Sequence, residues 1–525
     1  MGGLGLTDLD RVLEIEEDEE TGRYYHHHST NRVKALPPIH QQVGDDALRG
    51  VPLSDVAARW LIFRGSKGTS STYNLSHPVS HLDLFISHSW AANAFWKHLS
   101  LVTAYYIYIA YIALLILSIS LSIMVYFLPS RREFVAFYVE IGGLMVVCFG
   151  VAFGYIFPRL FRKDQVVFLD KCCISQTDIE LKNIGIHHIS SFLSRSDGLV
   201  ILWSTDYFSR LWCVFELASF LRTHEPGRVT FISIIQTKFS TLVALCEAAI
   251  LVTMTSIDLS AVSKQIESFT PLILYLSLEA VVTIIISTIV CFIFVPAKAN
   301  LQAQINNFTV ASAQCTLQED RAFIRESIAK WYGSEAQFEG NLRAHWAEIA
   351  ATQMPIWTLS KRGVYIVVAP FIAYGIPGLA FSLSADGLHP VTEWWRPLRD
   401  MLILTIMLGC RTPLIANVAY KMYAMNTLHS RLSKVVLYTA IVAFGLAYDA
   451  TLVVGGGAAL FSNTTGYQIN IPEPYGWIFV IPVVFVLVYL YIAYTRHTDV
   501  TPTAVAADSG RSFAQQYAPT TSSSV

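Results

Sequence analysis

Residues 204–217 read Ser-Thr-Asp-Tyr-Phe-Ser-Arg-Leu-Trp-Cys-Val-Phe-Glu-Leu, and their types and spacing suit chemistry better than any other stretch. They follow Gly198 and the apolar run Leu199-Val200-Ile201-Leu202, which reads as a buried parallel strand bounded by Gly and Ser. A helix over 207–222 puts Trp212 and Glu216 four residues apart on one face. One carboxylate then stands beside an aromatic ring at the carboxyl end of a strand, where open α/β sheets place their ligands. A carboxylate in that place is a candidate to act on whatever ligand binds there. On spacing alone, an ordinary surface glutamate on an amphipathic helix is the favoured reading of Glu216.

The elements that would position this pair are equally short and apolar. Residues 82–90, Leu-Asp-Leu-Phe-Ile-Ser-His-Ser-Trp, read as a strand running into a polar turn. Val166 to Asp170 reads as a second buried strand, followed by a polar loop over 171–180 and a helix over 181–194. Residues 228–234 supply another strand. This β-loop-α-β-α order predicts an α/β fold, a parallel sheet covered on both faces. Residues 308–315 and 318–331 read as a fifth strand and last helix of the same domain.

The composition predicts a multi-pass membrane protein: 525 residues, 53% hydrophobic and only 14% charged, with mean hydropathy +0.45. Apolar runs long enough to span hydrocarbon fall at 101–128, 134–157, 239–257, 271–295, 364–384, 401–419, 435–461 and 477–494, which predicts a bundle of about eight helices. The formal charge of −2 leaves no basic excess for nucleic acid. Eight scattered cysteines without a CxxC pair speak against structural zinc or a disulfide framework, so no metal site is expected. The triplet His26-His27-His28 reads as solvated. Lysines and arginines at 159, 162, 163, 421, 431, 434 and 496 place both termini in the cytosol by the positive-inside bias, against contrary charges at 131, 132, 396 and 399.

Three pieces together carry a resemblance. Asp83-Leu-Phe-Ile-Ser-His88, Phe168-Leu169-Asp170 with its following loop, and above all Ser204-x-x-Tyr207-x-Ser209-x-x-Trp212-Cys213-x-x-Glu216-Leu217 resemble the first strand, the second strand with its BB loop, and the third-helix box of TIR (Toll/interleukin-1 receptor/resistance) domains. They cover about 150 residues, with one extra residue before the tryptophan and no glycine in the BB loop. The resemblance implies a flavodoxin-like parallel sheet and cleavage of NAD between nicotinamide and ribose. NAD is then a substrate, and no tightly bound cofactor is expected. It also implies that Glu216 is catalytic and that Ser87, Ser89, Trp90, Asp170, Lys171 and Trp212 form the binding mouth. Many TIR domains act instead by self-association.

A TIR domain is normally continuous, and here it is cut by membrane hairpins. The predicted order is a largely disordered cytosolic tail (1–80) with one short helix over 53–63, the first part of the TIR-like domain (81–100), a transmembrane hairpin (101–157), the main part (158–236), a second hairpin (237–297), the last strand and helix (305–345), four membrane helices (362–495) and a disordered cytosolic tail (496–525). An even number of crossings returns the chain to the same side each time, as one shared sheet requires. Glu140, Glu247, Glu279, Arg411, Lys421 and Asp449 lie in or near apolar spans, where an ionisable group is a functional candidate by default. These residues keep a rival reading open: a transporter or channel in which the α/β domain is a regulatory or oligomerisation module. A non-catalytic receptor scaffold is the third.

Overall fold

The structure is a computed structural model. It describes residues 48–127, 148–161, 164–259, 270–315 and 317–353, together with 15–18, 23–26, 145, 365–369, 411–412, 414–416, 418–419 and 431–452. The chain divides into two compact units. One, the α/β unit, comprises residues 1–101, 155–234 and 300–353; the other, the helical unit, comprises 102–154, 235–299 and 354–525.

In the α/β unit, β1 (Ile15–Asp18) pairs antiparallel with β2 (Arg23–His26). The main sheet has six strands. It begins with β3 (Arg49–Pro52), which leads directly into α1 (Leu53–Ala57), and continues after α2 (Ser70–Tyr73) with β4 (His77–Pro78) and β5 (Leu82–His88). The helix α3 (Ala94–Phe127) follows, and the chain returns to this unit with α4 (Ile156–Leu160). Next come β6 (Val166–Phe168), α5 (Asp170–Cys173), α6 (Ile179–His187), α7 (Ile189–Ser194), β7 (Ser196–Trp203), α8 (Leu211–Leu221) and β8 (Val229–Ser233). The strand order is β4-β3-β6-β5-β7-β8. β6, β5, β7 and β8 are parallel, and β3 and β4 form an antiparallel edge.

Burial explains the parallel core. Leu199, Val200, Ile201 and Leu202 of β7 are all fully buried, as a strand covered on both faces requires. Phe85 of β5 is in register with Phe168 of β6, and their rings stack with centroids 4.5 Å apart. β5 lies between β6 and β7, so the first part of the interrupted domain supplies a central strand. The architecture is compatible with a TIR domain without identifying one.

Two expectations need correction. Residues 48–80, assigned to a largely disordered tail, instead form β3, α1, α2 and β4; of these only α1, at the start of the short helix expected over 53–63, agrees with the sequence. Gly50 is what lets β3 approach: a Cβ there would meet Val166 Cγ1 at 2.4 Å and Leu82 Cδ2 at 3.0 Å. Gly50→Val is therefore expected to destabilise the unit by about 1–3 kcal/mol through overpacking, readable as a lower midpoint in thermal unfolding of the purified chain.

The second correction concerns 308–315, which is not a strand. Val310–Ser312 is a 3₁₀ turn, and Gln314 bridges Arg210 in the loop before α8, with Gln314 N donating to Ser209 O at 2.7 Å. Phe308, Val310 and Ala313 are the buried residues, a spacing that no strand sustains on one face. The helices α12 (Gln318–Tyr332) and α13 (Glu335–Gln353) follow α9 (Ile234–Leu259) and α10 (Thr270–Ile289) of the helical unit, and α11 (Val295–Asn306), which runs from that unit into the α/β unit, in the chain. Tyr332 of α12 donates to Ala218 O at 2.8 Å, and Trp346 of α13 packs edge-on against Phe231 of β8.

Within the helical unit, the part of α3 after Leu101 packs against 148–154. Gly150 and Gly154 lie so close to Ala110 and Tyr106 that a Cβ would meet them at 2.5 and 2.8 Å, the close approach that small residues give packed membrane helices. Among the described residues, two helical stretches are long and apolar enough to cross a bilayer, Ala94–Leu117 and Ala280–Asn306. That is two where the sequence predicts about eight. Residues 239–257 are helical within α9 but are not one of the two, and 435–447 is a shorter apolar stretch of α14 (Arg431–Leu452). The spans expected at 134–157, 364–384, 401–419 and 477–494 lie largely or wholly outside the described residues, as do Glu140, Lys421 and the tail from 496.

Candidate functional site

The carboxyl ends of β5, β6 and β7 open onto a cavity of about 220 Å³ in the α/β unit. Glu216, Asp170, Trp90 and Trp212 all line it. Trp212, Cys213 and Glu216 reach it because α8 is helical through all three, while Leu217 and Phe220 of that helix are buried in the core.

Glu216 is half-buried and anchored across the sheet. Ser87 at the end of β5 donates to its Oε2 at 2.5 Å, and Ser87 Oγ also meets Tyr207 Oη at 2.7 Å. Burial pushes the Glu216 carboxyl up to about 8, opposed by the Ser87 hydrogen bond and reinforced by the negative charge of Asp170. A glutamate on a solvated helix face would show no such shift, so its surroundings differ from those of an ordinary surface residue.

Asp170 accepts from Trp90 Nε1 at 2.9 Å and from its neighbour's backbone, Lys171 N, at 2.7 Å. Burial raises its carboxyl above the usual range, while those hydrogen bonds and the ammonium groups of Lys97 and Lys171 pull it back. Trp90 is fixed on both counts: its ring lies 4.9 Å from Lys97 Nζ and 5.6 Å from Lys171 Nζ. Lys97 is fully buried and donates to Ser89 O at 3.0 Å.

Three sequence-predicted residues take other positions. Lys171 is buried, its ammonium donating to Arg64 O and Gly65 O at 2.7 and 2.9 Å. It therefore braces the wall from behind, because 170–173 is a helical turn and not an open loop. Ser87 acts through Glu216. The hydroxyl of Ser89 bonds Asp206, which Ser204 also holds at 2.5 Å. Cys172 and Cys173 are buried, and burial raises the Cys172 thiol to about 12 and Cys173 higher than usual, so both stay protonated and unreactive.

Several lining residues carried no pattern in the sequence. Arg210 and Lys182 bring positive charge to the cavity, and Asp320 reaches it from α12, where its Oδ2 accepts from Trp212 Nε1 at 3.2 Å. His88 also lines it, buried against Trp90 and Phe63; burial, and then the charge of Lys97, hold it well below the ordinary histidine range, so it is neutral. Only its place beside Ser87 and Ser89 pointed to it. Among the described residues, no group of three or more His, Cys, Asp or Glu side chains is arranged to hold a metal ion. His27 and His28 lie outside those residues.

The arrangement offers three carboxyls, two indole rings and two cations around one cavity. A planar aromatic group has ring faces to lie on, and a phosphate has Arg210 and Lys182. Compared with known proteins, the chain matches no family model, no curated protein and no solved structure.

Proposed function

We propose that this is a multi-pass membrane signalling protein whose cytosolic TIR-like α/β unit hydrolyses NAD at the nicotinamide–ribose bond, with Glu216 as the catalytic carboxylate. The observation that carries this reading is the environment of Glu216: a carboxylate held by Ser87 at the carboxyl end of a central strand, raised to about 8 by burial, in a cavity with Trp90, Asp170 and Trp212. Displaced charge and raised carboxyl groups cluster at sites that do chemistry. As nicotinamide leaves, the ribose gains oxocarbenium character, and the Glu216 carboxylate faces that charge. The cavity is smaller than the roughly 300–1,000 Å³ that encloses a whole drug-sized ligand, so it suits one ring with its sugar, with the phosphates drawn toward Arg210 and Lys182. Nicotinamide release by the purified full-length chain, compared with Glu216→Ala, tests the reading.

A second reading, assembly through the same unit, rests on α6. There Leu181 and Ile184, one turn apart, are each 43% exposed, an apolar pair beside the cavity wall formed by Ile186. Exposed apolar clusters of this kind mark interaction surfaces. A charge at Ile184 is expected to weaken self-association of the full chain in detergent by about tenfold or more, read by light scattering; an unchanged particle mass would rule this face out.

A further inference from the structure

The helical unit contains a second constellation that the NAD reading does not use. Glu247 of α9 and Arg411 form an ion pair, with side chains 1% and 0% exposed. Around them the unit is apolar: Val243, Ile286, Val290, Ile415, Ala416 and Ile441 belong to one buried cluster. Yet Ser240, Ser287 and Thr412 are also fully buried, and none of their hydroxyls has a hydrogen-bond partner among the described residues.

These groups converge. Ser240 and Glu247 are two helical turns apart on one face of α9. Thr283 and Ser287 share a face of α10, and both touch Gly445 of α14: a Cβ there would meet Thr283 Cγ2 at 2.6 Å and Ser287 Oγ at 3.7 Å. The same position would meet Ile415 Cδ1 at 3.2 Å, one turn beyond Arg411. Just past Ser287 the ladder widens into a π turn, Val290–Phe294, ahead of Pro296, which has no N–H to return to Phe292 O. Such turns recur at functional sites.

Three unsatisfied hydroxyls and a charge pair are costly in a dry apolar interior. Bound water would satisfy such hydroxyls, since they both donate and accept. The ion pair is neutral overall, so it offers no net charge to hold a sodium or chloride ion. What it does offer is one carboxylate able to take up and release a proton. The other titratable groups packed on this cluster are the thiols of Cys246 and Cys291; Tyr438 of α14 pairs with Thr288, and the carboxyl-bearing residues Glu279 of α10 and Asp449 of α14 stand one turn from Thr283 and from Gly445.

We infer that Glu247, Arg411 and the hydroxyls of Ser240, Thr283, Ser287 and Thr412 form a hydrated proton-transfer site within the membrane. Hydronium on one side gives a proton to the Glu247 carboxylate and becomes water; the neutral acid leaves Arg411, and the proton passes to a water on the other side, after which the pair re-forms. Only O–H bonds are made and broken. The inference rests on the reading of this unit as membrane-embedded and is independent of NAD cleavage.

The test uses the full chain in phosphatidylcholine vesicles loaded with a pH-sensitive dye, with the potential clamped by potassium and valinomycin. After a pH step, wild type is expected to equilibrate faster than protein-free vesicles, and Glu247→Gln to lower that rate about tenfold or more. Ser287→Ala, which removes a hydroxyl without breaking the ion pair, is expected to lower the rate with an unchanged unfolding midpoint, and it decides the matter if Glu247→Gln does not fold. Chain that stays in the vesicles after a carbonate wash but conducts no faster than lipid alone overturns the proton site. So does full flux in either variant, or a flux carried equally by sodium or chloride. Chain stripped by the wash overturns the membrane reading as well.

Discussion

Glu216→Ala is expected to lower nicotinamide release from NAD by about 100- to 1,000-fold, the loss seen when one preorganised electrostatic group is removed from a reacting centre. The fall should appear in kcat, because the carboxylate meets a charge that exists only as the bond breaks. The fold should survive, since α8 is held in the core by Val214, Phe215, Leu217, Ala218 and Leu221, whose burial does not depend on the carboxylate. Glu216→Gln sharpens the result: it keeps the shape and can still accept from Ser87, yet it cannot carry negative charge. A glutamine variant with wild-type turnover would show that the charge is not used.

The second large effect is on pH. The folded carboxyl sits at about 8 against an ordinary 4.5, so the folded chain keeps a proton that the unfolded chain has lost throughout that window. The folded state binds the extra proton, and stability from this group therefore falls as pH rises from 4.5 toward 8, then stays level. On the proposed NAD reading catalysis has the opposite sign, because the ionised form is the one that would stabilise the transition state. kcat/KM is expected to rise about tenfold per pH unit below 8 and to flatten above it. Two variants should move that profile in opposite directions. Ser87→Ala removes the hydrogen bond that lowers the Glu216 carboxyl and shifts the profile to higher pH; Asp170→Asn removes a charge that raises it and shifts the profile lower. A substitution that merely loosened the fold would lower the rate without moving its midpoint. A profile that falls through pH 8 would mean that Glu216 works as an acid.

The α/β unit and the helical unit offer separate chemistry, and the chain connects them repeatedly. The strand β5, central in the sheet, belongs to the stretch before residue 102, whereas β6, β7 and β8 belong to 155–234. A soluble fragment over 164–236 lacks that central strand, and with it Ser87 and Trp90, so neither the sheet nor the Glu216 site is complete without the segments on both sides of the first helical insertion.

The sequence by itself determined the local elements. Apolar runs bounded by Gly, Ser or Asp announced β5, β6, β7 and β8, and helical spacing put Trp212 and Glu216 on one face, because side-chain periodicity is set within a few residues of each position. Tertiary structure decided what those elements meet. The Ser87 hydrogen bond to Glu216 joins residues 129 apart in sequence, and the desolvation that raises Glu216 exists only once α8 is packed on the sheet. The same holds for the departures: β3 was hidden in a polar tail because its partner, β6, lies far along the chain. Residues 308–315 failed to add a strand because their backbone groups were claimed by the loop before α8. Lys171, polar in sequence, was drawn inward by the carbonyls of Arg64 and Gly65. Each outcome was settled by a partner that local pattern cannot name.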